Sequence, residues 1–241
     1  MFAWKVLALV CLYSSGSIAK WSCPKSKSEA IKAFKHKVLF NPIPPLKSDP
    51  YAKQTPQSSA HIKSVLNNKT IVCALKYKDE HRIEYQLKQF DSKELAEKDG
   101  FIVTHQGHCG ACSSVQDLAV YLEQPDLTDP VRKCALKTIL SDHWAWTCLQ
   151  DVGFSQSCAK IWLYNADNTR RQCLGVCLKE WLVGAPNNLP DGSLNPCLQC
   201  DEDKSGPVFK FYAGRTRRDS GIESAIHRPK TQVYPLNHCY Y

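Results

Sequence analysis

The sequence lacks the short motifs that identify the common secreted hydrolases and zinc-binding modules. It contains no Gly-x-Ser-x-Gly elbow and no His-Glu-x-x-His pair, which argues against α/β-hydrolases and helical zinc proteases. It also has no internal repeat, no zinc-finger spacing and no glycine spacing typical of a nucleotide-phosphate loop. No motif therefore specifies a reaction, and the functional hypotheses depend on individual cysteine, histidine and arginine residues.

Residues 1–19 have the composition of a secretion signal. Lys5 precedes an apolar run, Val6–Tyr13, and small residues follow as far as Ala19. The run is shorter than the ~20 residues that a membrane-spanning helix needs, and no later stretch is apolar enough to span. We expect cleavage before Lys20, and a protein that is secreted or stays in the lumen of the secretory pathway.

The cysteine content agrees with an oxidising compartment. Of thirteen cysteines, Cys11 lies in the predicted signal, which leaves an even number, twelve. In a secreted chain this number predicts up to six disulfides, although the spacing leaves their connectivity open. Asn68 begins the triplet Asn-Lys-Thr, an acceptor for N-glycosylation. The chain is therefore predicted to be an extracellular, disulfide-bonded glycoprotein.

Positive charge is concentrated towards the ends of the chain, which has a formal net charge of +8. In residues 20–63, nine Lys face only Glu29 and Asp49, and prolines are frequent from Pro42 to Pro56. We predict a basic, Pro-rich arm over 20–63 and a disulfide-rich globular domain over 64–241. The arm would bind an acidic polysaccharide or a phospholipid head group, or it is simply a solvated lysine-rich face. Neither a specific nucleic-acid partner nor a transmembrane span is expected.

The globular part is predicted to be α+β and dominated by helices. A β-hairpin is expected over Thr70–Leu75 and Arg82–Leu87, a strand over Phe101–His105, and a helix from Ser113 or Ser114 to Glu123. Four further helices are predicted near residues 131–140, 143–150, 158–164 and 170–183. The result is one disulfide-stapled domain with a small β element.

Cysteines and tryptophans suggest how these helices pack. Cys173 and Cys177 lie on one helix face, from which they would bond to neighbouring helices, with Cys148 and Cys158 on such neighbours. The core is expected to contain four tryptophans, Trp144, Trp146, Trp162 and Trp181.

The densest chemical segment is His105–Cys112, which joins a predicted strand to the N-terminus of a predicted helix. His105 and His108 are candidates for acid–base catalysis. Cys109 and Cys112 spell Cys-Gly-x-Cys, which resembles the thioredoxin-type motif and implies a thiol–disulfide oxidoreductase. The histidines are also candidates for copper or zinc binding with Asp117. Alternatively, both cysteines belong to the disulfide framework and the segment is structural.

A second segment concentrates arginine. A strand-like run, Phe209–Tyr212, leads into a predicted loop with Arg215, Arg217 and Arg218, a composition suited to bidentate binding of carboxylate, sulfate or phosphate. The alternatives are a solvated basic loop and a dibasic processing site. The acidic triplet Asp201–Asp203 is expected to form a solvated turn.

The leading hypothesis is a secreted protein with an anionic small-molecule site where these two segments meet. The arginines would hold the anion and, if the protein is an enzyme, His105 or His108 would move a proton. This hypothesis requires no metal or other cofactor. The competing hypotheses are a non-enzymatic extracellular binding or matrix protein that uses its basic arm, and an oxidoreductase that uses Cys109 and Cys112.

Overall fold

A computed structural model describes residues 23–241, so the predicted signal peptide lies outside the described residues. Of the described residues, 49% are helical and 10% are in strands, which confirms the helix-dominated α+β class. None of the described helices is long and apolar enough to cross a membrane. The described helices are α1 (Lys27–Lys35), α2 (Pro56–Asn67), α3 (Lys93–Lys98), α4 (Val115–Glu123), α5 (Thr128–Leu136), α6 (Asp142–Asp151), α7 (Gln156–Leu182), α8 (Pro196–Lys204) and α9 (Gly206–Ala213); the strands are β1 (Val38–Leu39), β2 (Val72–Tyr77), β3 (Glu84–Phe90) and β4 (Ile102–Gln106).

The four strands form one sheet in the order β1-β3-β2-β4. The predicted hairpin is confirmed: β2 and β3 are antiparallel, with Val72 opposite Phe90 and Tyr77 opposite Tyr85. Strand β4 pairs antiparallel with β2, and β1 pairs parallel with β3. Because side chains alternate along a strand, β2 contributes Cys73 and Leu75 to the main core and Val72 and Ala74 to a smaller one.

The main core lies between the sheet and the helices, with α4 at its centre. Ser114 begins this helix as its N-cap, and the side chains of Val115 and Leu118 are fully buried. Helix α1 packs against α4 and inserts Phe34, which is also fully buried.

Residues 23–63, the described part of the arm predicted over 20–63, contact the rest of the chain at several places. Besides the packing of α1, strand β1 pairs with β3, helix α2 packs against α9, and Cys23 is bonded to Cys239. This segment therefore supplies part of the core, one strand and half of a disulfide.

All twelve cysteines of the described residues are paired, which indicates an extracellular protein. Cys173 and Cys177 bond to α8, which confirms that they reach a neighbouring helix. Their expected neighbours Cys148 and Cys158 pair elsewhere. The six bonds are Cys23–Cys239, Cys73–Cys109, Cys112–Cys158, Cys134–Cys148, Cys173–Cys200 and Cys177–Cys197.

Helix α7 is continuous where the sequence predicted two helices. The polar residues at the predicted break do not end the helix, because they face α8 and the residue after it: Asn168 Nδ2 donates to Ser205 Oγ (3.0 Å), and Thr169 Oγ1 donates to Asp201 Oδ1. Because these polar side chains are hydrogen-bonded to the neighbouring helix, burying them costs little free energy, and α7 continues past them.

Two further predictions are wrong. The run Phe209–Tyr212 lies in helix α9, which has a proline in its first turn, rather than in a strand. Trp144 and Trp181 are 58% and 59% exposed and do not belong to the core.

Candidate functional site

The two segments singled out from the sequence meet in the structure, backbone against backbone. Ala111 N–H donates to the carbonyl of Tyr212 (2.9 Å), and Cys112 N–H donates to that of Ala213 (2.8 Å). Gly110 and Gly214 make this approach possible, because a Cβ on Gly110 would lie 2.6 Å from Gly214 N. Their meeting creates a buried polar region, called here the junction, whose members are His105, Ser113, Arg215, Ser220 and His238.

Arg215 is the centre of the junction and is fully buried. Its Nε–H donates to the carbonyl of Cys112 (3.1 Å), and its Nη2 donates to that of Ser113 (3.1 Å). Its Nη1 donates to the carbonyl of Thr104 (2.9 Å) and to Ser220 Oγ (3.0 Å). Burial lowers the pKa of this guanidinium, although nearby tyrosines and a carboxylate oppose the shift. The hydrogen bonds of Arg215 therefore connect three parts of the chain: β4, the end of the His105–Cys112 segment, and the turn after α9 that contains Ser220.

Arg217 also donates to main-chain carbonyls. Its Nη1 donates to the carbonyl of Tyr121 (2.5 Å), and its Nη2 donates to that of Gln124. Both carbonyls lie at the C-terminal end of α4, where main-chain acceptors are unpaired and the helix dipole favours a cation. All three guanidinium nitrogens of Arg215 and both terminal nitrogens of Arg217 therefore donate to groups of the chain itself.

His105 and Ser113 form a hydrogen-bonded pair inside the junction. His105 Nδ1 lies 2.8 Å from the carbonyl of Gln106, which can only accept, so Nδ1 carries the proton. Nε2 then accepts from Ser113 Oγ (2.8 Å), and Ser113 Oγ accepts from Gly110 N–H (2.8 Å). Burial, with Arg215 nearby, lowers the pKa of His105 well below its ordinary value and keeps the ring neutral. The geometry suits proton transfer, but neither side chain is accessible to solvent.

His108 is more accessible than His105. Its Nε2 donates to the carbonyl of Phe211, on whose ring it also packs (4.9 Å between ring centroids). Burial lowers its pKa, partly offset by this hydrogen bond and by Asp219. Nδ1 has no hydrogen-bond partner among the described residues, so it is the ring atom at which His108 could exchange a proton.

Cys109 and Cys112 do not form a redox pair. Cys109 is bonded to Cys73 on β2, and Cys112 to Cys158 in the first turn of α7. The thioredoxin-type interpretation is therefore wrong: both cysteines belong to the disulfide framework.

The structure does not support a metal site at the histidines. Among residues 23–241, no group of three or more His, Cys, Asp or Glu side chains is arranged to hold a metal ion. Asp117, the proposed carboxylate ligand, instead accepts from Ser155 N–H (2.8 Å) and from the hydroxyls of Ser114 (2.5 Å) and Ser155 (2.9 Å). Its burial raises the pKa of Asp117 to about 6.

Arg218 belongs to a different group, called here the cation cluster, which consists of Glu202, Lys210, Arg218 and Arg228. Glu202 accepts from Lys210 Nζ (2.8 Å) and Arg228 Nη2 (2.8 Å), and Arg218 Nη2 lies 3.5 Å away. The four side chains are only 20–28% exposed. Burial raises the pKa of Glu202, but the cations outweigh it and the net shift is downward.

Only Arg218 of this cluster was a candidate from the sequence. Glu202 was expected in a solvated turn, yet it lies in α8, beside a half-buried Asp201. No spacing rule connects Glu202 to partners 8, 16 and 26 residues later, so no local signal could have identified the cluster.

Asn68, the predicted glycosylation acceptor, is exposed directly after α2. Its Oδ1 accepts from both the main-chain N–H (3.1 Å) and the hydroxyl (2.8 Å) of Thr70. The two residues that define the acceptor triplet are therefore in contact at the surface.

Comparison with known proteins gives one similarity. Residues 142–236 match a protein family of unknown function, DUF8771. No curated protein and no solved structure matches the chain. The matched segment includes α6 to α9, the three arginines of the second segment and every member of the cation cluster.

Proposed function

We propose that this extracellular-type protein binds an anionic group, a sulfate, phosphate or carboxylate, at the cation cluster. The observation that supports the proposal is the excess of positive charge around Glu202. Three cations share that carboxylate, and they remain in excess by one even when neighbouring Asp201 is counted as ionised. Of the three arginines predicted to bind an anion, the proposed site therefore includes Arg218 and leaves out Arg215 and Arg217.

Partial burial strengthens the electrostatic effect of this excess positive charge. At 20–28% exposure the charges are less screened than on an open surface, so their mutual repulsion and their attraction for an anion are both stronger. Burial, with the charge of Arg218, lowers the pKa of Arg228, although Glu202 opposes the shift. An anion bound beside Arg218 and Arg228 would relieve that repulsion, and two guanidinium groups offer the fork geometry that oxyanions accept.

The experiment is calorimetric titration of the mature, disulfide-bonded protein with inorganic sulfate and phosphate at constant ionic strength. We expect binding that chloride does not reproduce, and Arg228→Gln should weaken it about tenfold, as expected for loss of one charge-assisted hydrogen bond. Arg132→Gln is the control, because Arg132 also pairs with one carboxylate, Asp129, on exposed α5. Equal affinity in both variants, or no preference over chloride, would contradict the proposal.

A catalytic function is less well supported by the geometry. The His105–Ser113 pair is closed to solvent. His108 offers one ring nitrogen, Nδ1, which has no basic or acidic partner at hydrogen-bond distance within residues 23–241. Catalysis by His105 or His108 stays a prediction. A loss of turnover in both His105→Ala and His108→Ala would be needed to revive it once a substrate is found.

The second candidate function is binding of an acidic polysaccharide by the basic segment. Lys27 and Lys32 are exposed on α1 and have no ion-pair partner among the described residues. Deletion of residues 20–63 would also remove α1, β1 and Cys23, so a charge reversal is the better test. Lys27→Glu with Lys32→Glu should shorten retention on a heparin column. Lys93→Glu with Lys98→Glu is the matched control, because these two lysines are also exposed and five residues apart on one helix, α3, outside residues 20–63.

A further inference from the structure

Exposed apolar side chains are concentrated in one part of the molecule. Of the fourteen large apolar side chains that are exposed among the described residues, nine lie between positions 136 and 183. Single exposed apolar residues are normal on a soluble protein, but a concentration of this kind marks a surface that contacts something else. Its members are called here the apolar surface.

The first four members lie where α5 leads into α6. A short 3-10 turn, Lys137–Ile139, connects the two helices, and the Cys134–Cys148 disulfide holds them together. The exposed side chains here are Leu136 (59%), Ile139 (70%), Leu140 (75%) and Trp144 (58%).

The other five members lie at the C-terminal end of α7. Leu174, Leu178 and Trp181 are spaced four and three residues apart, which places them on one face of the helix, and Leu182 and Val183 complete its end. Both α5 and α6 pack against α7, and a cleft next to the surface is lined by Arg132 and Trp181 together. The two groups therefore lie on neighbouring elements.

We propose that the apolar surface docks on a phospholipid bilayer, with its leucine and tryptophan side chains inserted at the level of the head groups and the first acyl carbons. Tryptophan is enriched at this depth of a membrane, and aliphatic side chains supply the apolar area that drives interfacial binding. Each of the two groups of the surface contains one tryptophan, Trp144 in the first and Trp181 in the second.

The charges around the surface fit anionic head groups. Residues 128–144 and 167–183 together contain six Lys or Arg and four Asp or Glu. Lys133, Lys137 and Lys179 are exposed and have no ion-pair partner in the described part of the chain. A two-fold contact between identical copies would bring these lysines towards one another, whereas an anionic bilayer would attract them.

The test is flotation of the mature protein with vesicles of phosphatidylcholine, alone or with about a third phosphatidylserine. We expect binding to both, stronger with phosphatidylserine, and a blue shift of tryptophan emission on binding. Leu178→Ser should weaken binding by roughly tenfold, since it removes one inserted aliphatic side chain. Leu95→Ser is the matched control, because Leu95 is equally exposed (48%) on α3, far along the chain from the surface.

Three outcomes would overturn the proposal. The first is no binding to either vesicle. The second is binding that Arg228→Gln abolishes and Leu178→Ser leaves intact, because the cation cluster would then hold the head groups. The third is concentration-dependent dimerisation in sedimentation that Leu178→Ser abolishes, which would assign the surface to a second copy of the chain. Near-ultraviolet circular dichroism of each variant checks that the fold is unchanged.

Discussion

Arg215 and Arg218 lie three residues apart, yet the structure uses them in opposite ways. In the junction, Arg215 is fully buried and its hydrogen bonds go to three carbonyls and a serine of the chain itself. In the cation cluster, Arg218 is a quarter exposed and shares one carboxylate with two other cations. An arginine that donates to buried main-chain carbonyls holds the fold together, whereas one that shares its acceptor with other cations is the one that we propose to bind an anion.

The junction and the cation cluster also differ in the protonation state of their titratable side chains. The junction keeps its histidines neutral, since burial and the charge of Arg215 lower the pKa values of His105 and His238. The cation cluster keeps its groups charged, and the pKa of Glu202 falls because cations surround it. The comparison therefore predicts that variants of the junction change stability, while variants of the cluster mainly change ligand and salt responses.

The largest effect is expected for Arg215→Met. The change leaves the carbonyls of Thr104, Cys112 and Ser113 without their donor in a buried site, so we expect a loss of about 3–5 kcal/mol in the free energy of unfolding. Urea unfolding with the disulfides intact measures it. Arg132→Met, at an exposed position, should change stability by less than about 0.5 kcal/mol. A comparable loss in both variants would remove the distinction between buried and exposed arginines.

The next effect is a pH dependence that belongs to the junction. Burial and Arg215 lower the pKa of His238 to about 3, while the unfolded value is near ~6.5. Between these values the unfolded state binds a proton that the folded state does not, so stability rises with pH and is lost as pH falls from 6.5 towards 3. Each such histidine contributes about 1.4 kcal/mol per pH unit.

His238→Gln tests this dependence because it removes the titrating group. Asp117, with its pKa raised to about 6, acts in the opposite direction between about pH 4 and 6. Other shifted groups are common to both proteins, so the slope of unfolding free energy against pH over that interval should be smaller in His238→Gln than in the unmodified protein, by about 1.4 kcal/mol per pH unit. Equal slopes would show that His238 is not kept neutral by its surroundings.

Much of this fold followed from local sequence signals. Ser114 begins α4 as expected, and the β2–β3 hairpin forms as expected, although each strand lies two to three residues later than predicted. The unbroken α7 was missed because Asn168 and Thr169 look like a helix end until α8 supplies their partners. Single-sequence patterns carry no information about such distant partners.

The same limit explains what was missed at the candidate site. Arg215 was recognised as chemically important, but its acceptors Thr104 and Cys112 are more than one hundred residues away. Trp181 was assigned to the core because tryptophan is usually buried, and the structure leaves it 59% exposed. Composition identified two polar segments that the structure brings into contact, but which of their side chains are buried depended on long-range packing.

Glu202→Gln is expected to change stability less than the variants of the junction do, and it tests the comparison between the two regions most directly. Removing the shared carboxylate leaves Lys210, Arg218 and Arg228 facing one another, at a cost of about 1 kcal/mol in unfolding free energy at low salt. Because an anion can replace the carboxylate, phosphate should restore this stability and bind more tightly than to the unmodified protein. Glu123→Gln removes one exposed pair, with Lys35, and should gain nothing from phosphate. If phosphate stabilises Glu202→Gln no more than Glu123→Gln, an anion does not replace the Glu202 carboxylate. The side chains of the cation cluster would then serve only to stabilise the fold, as those of the junction do.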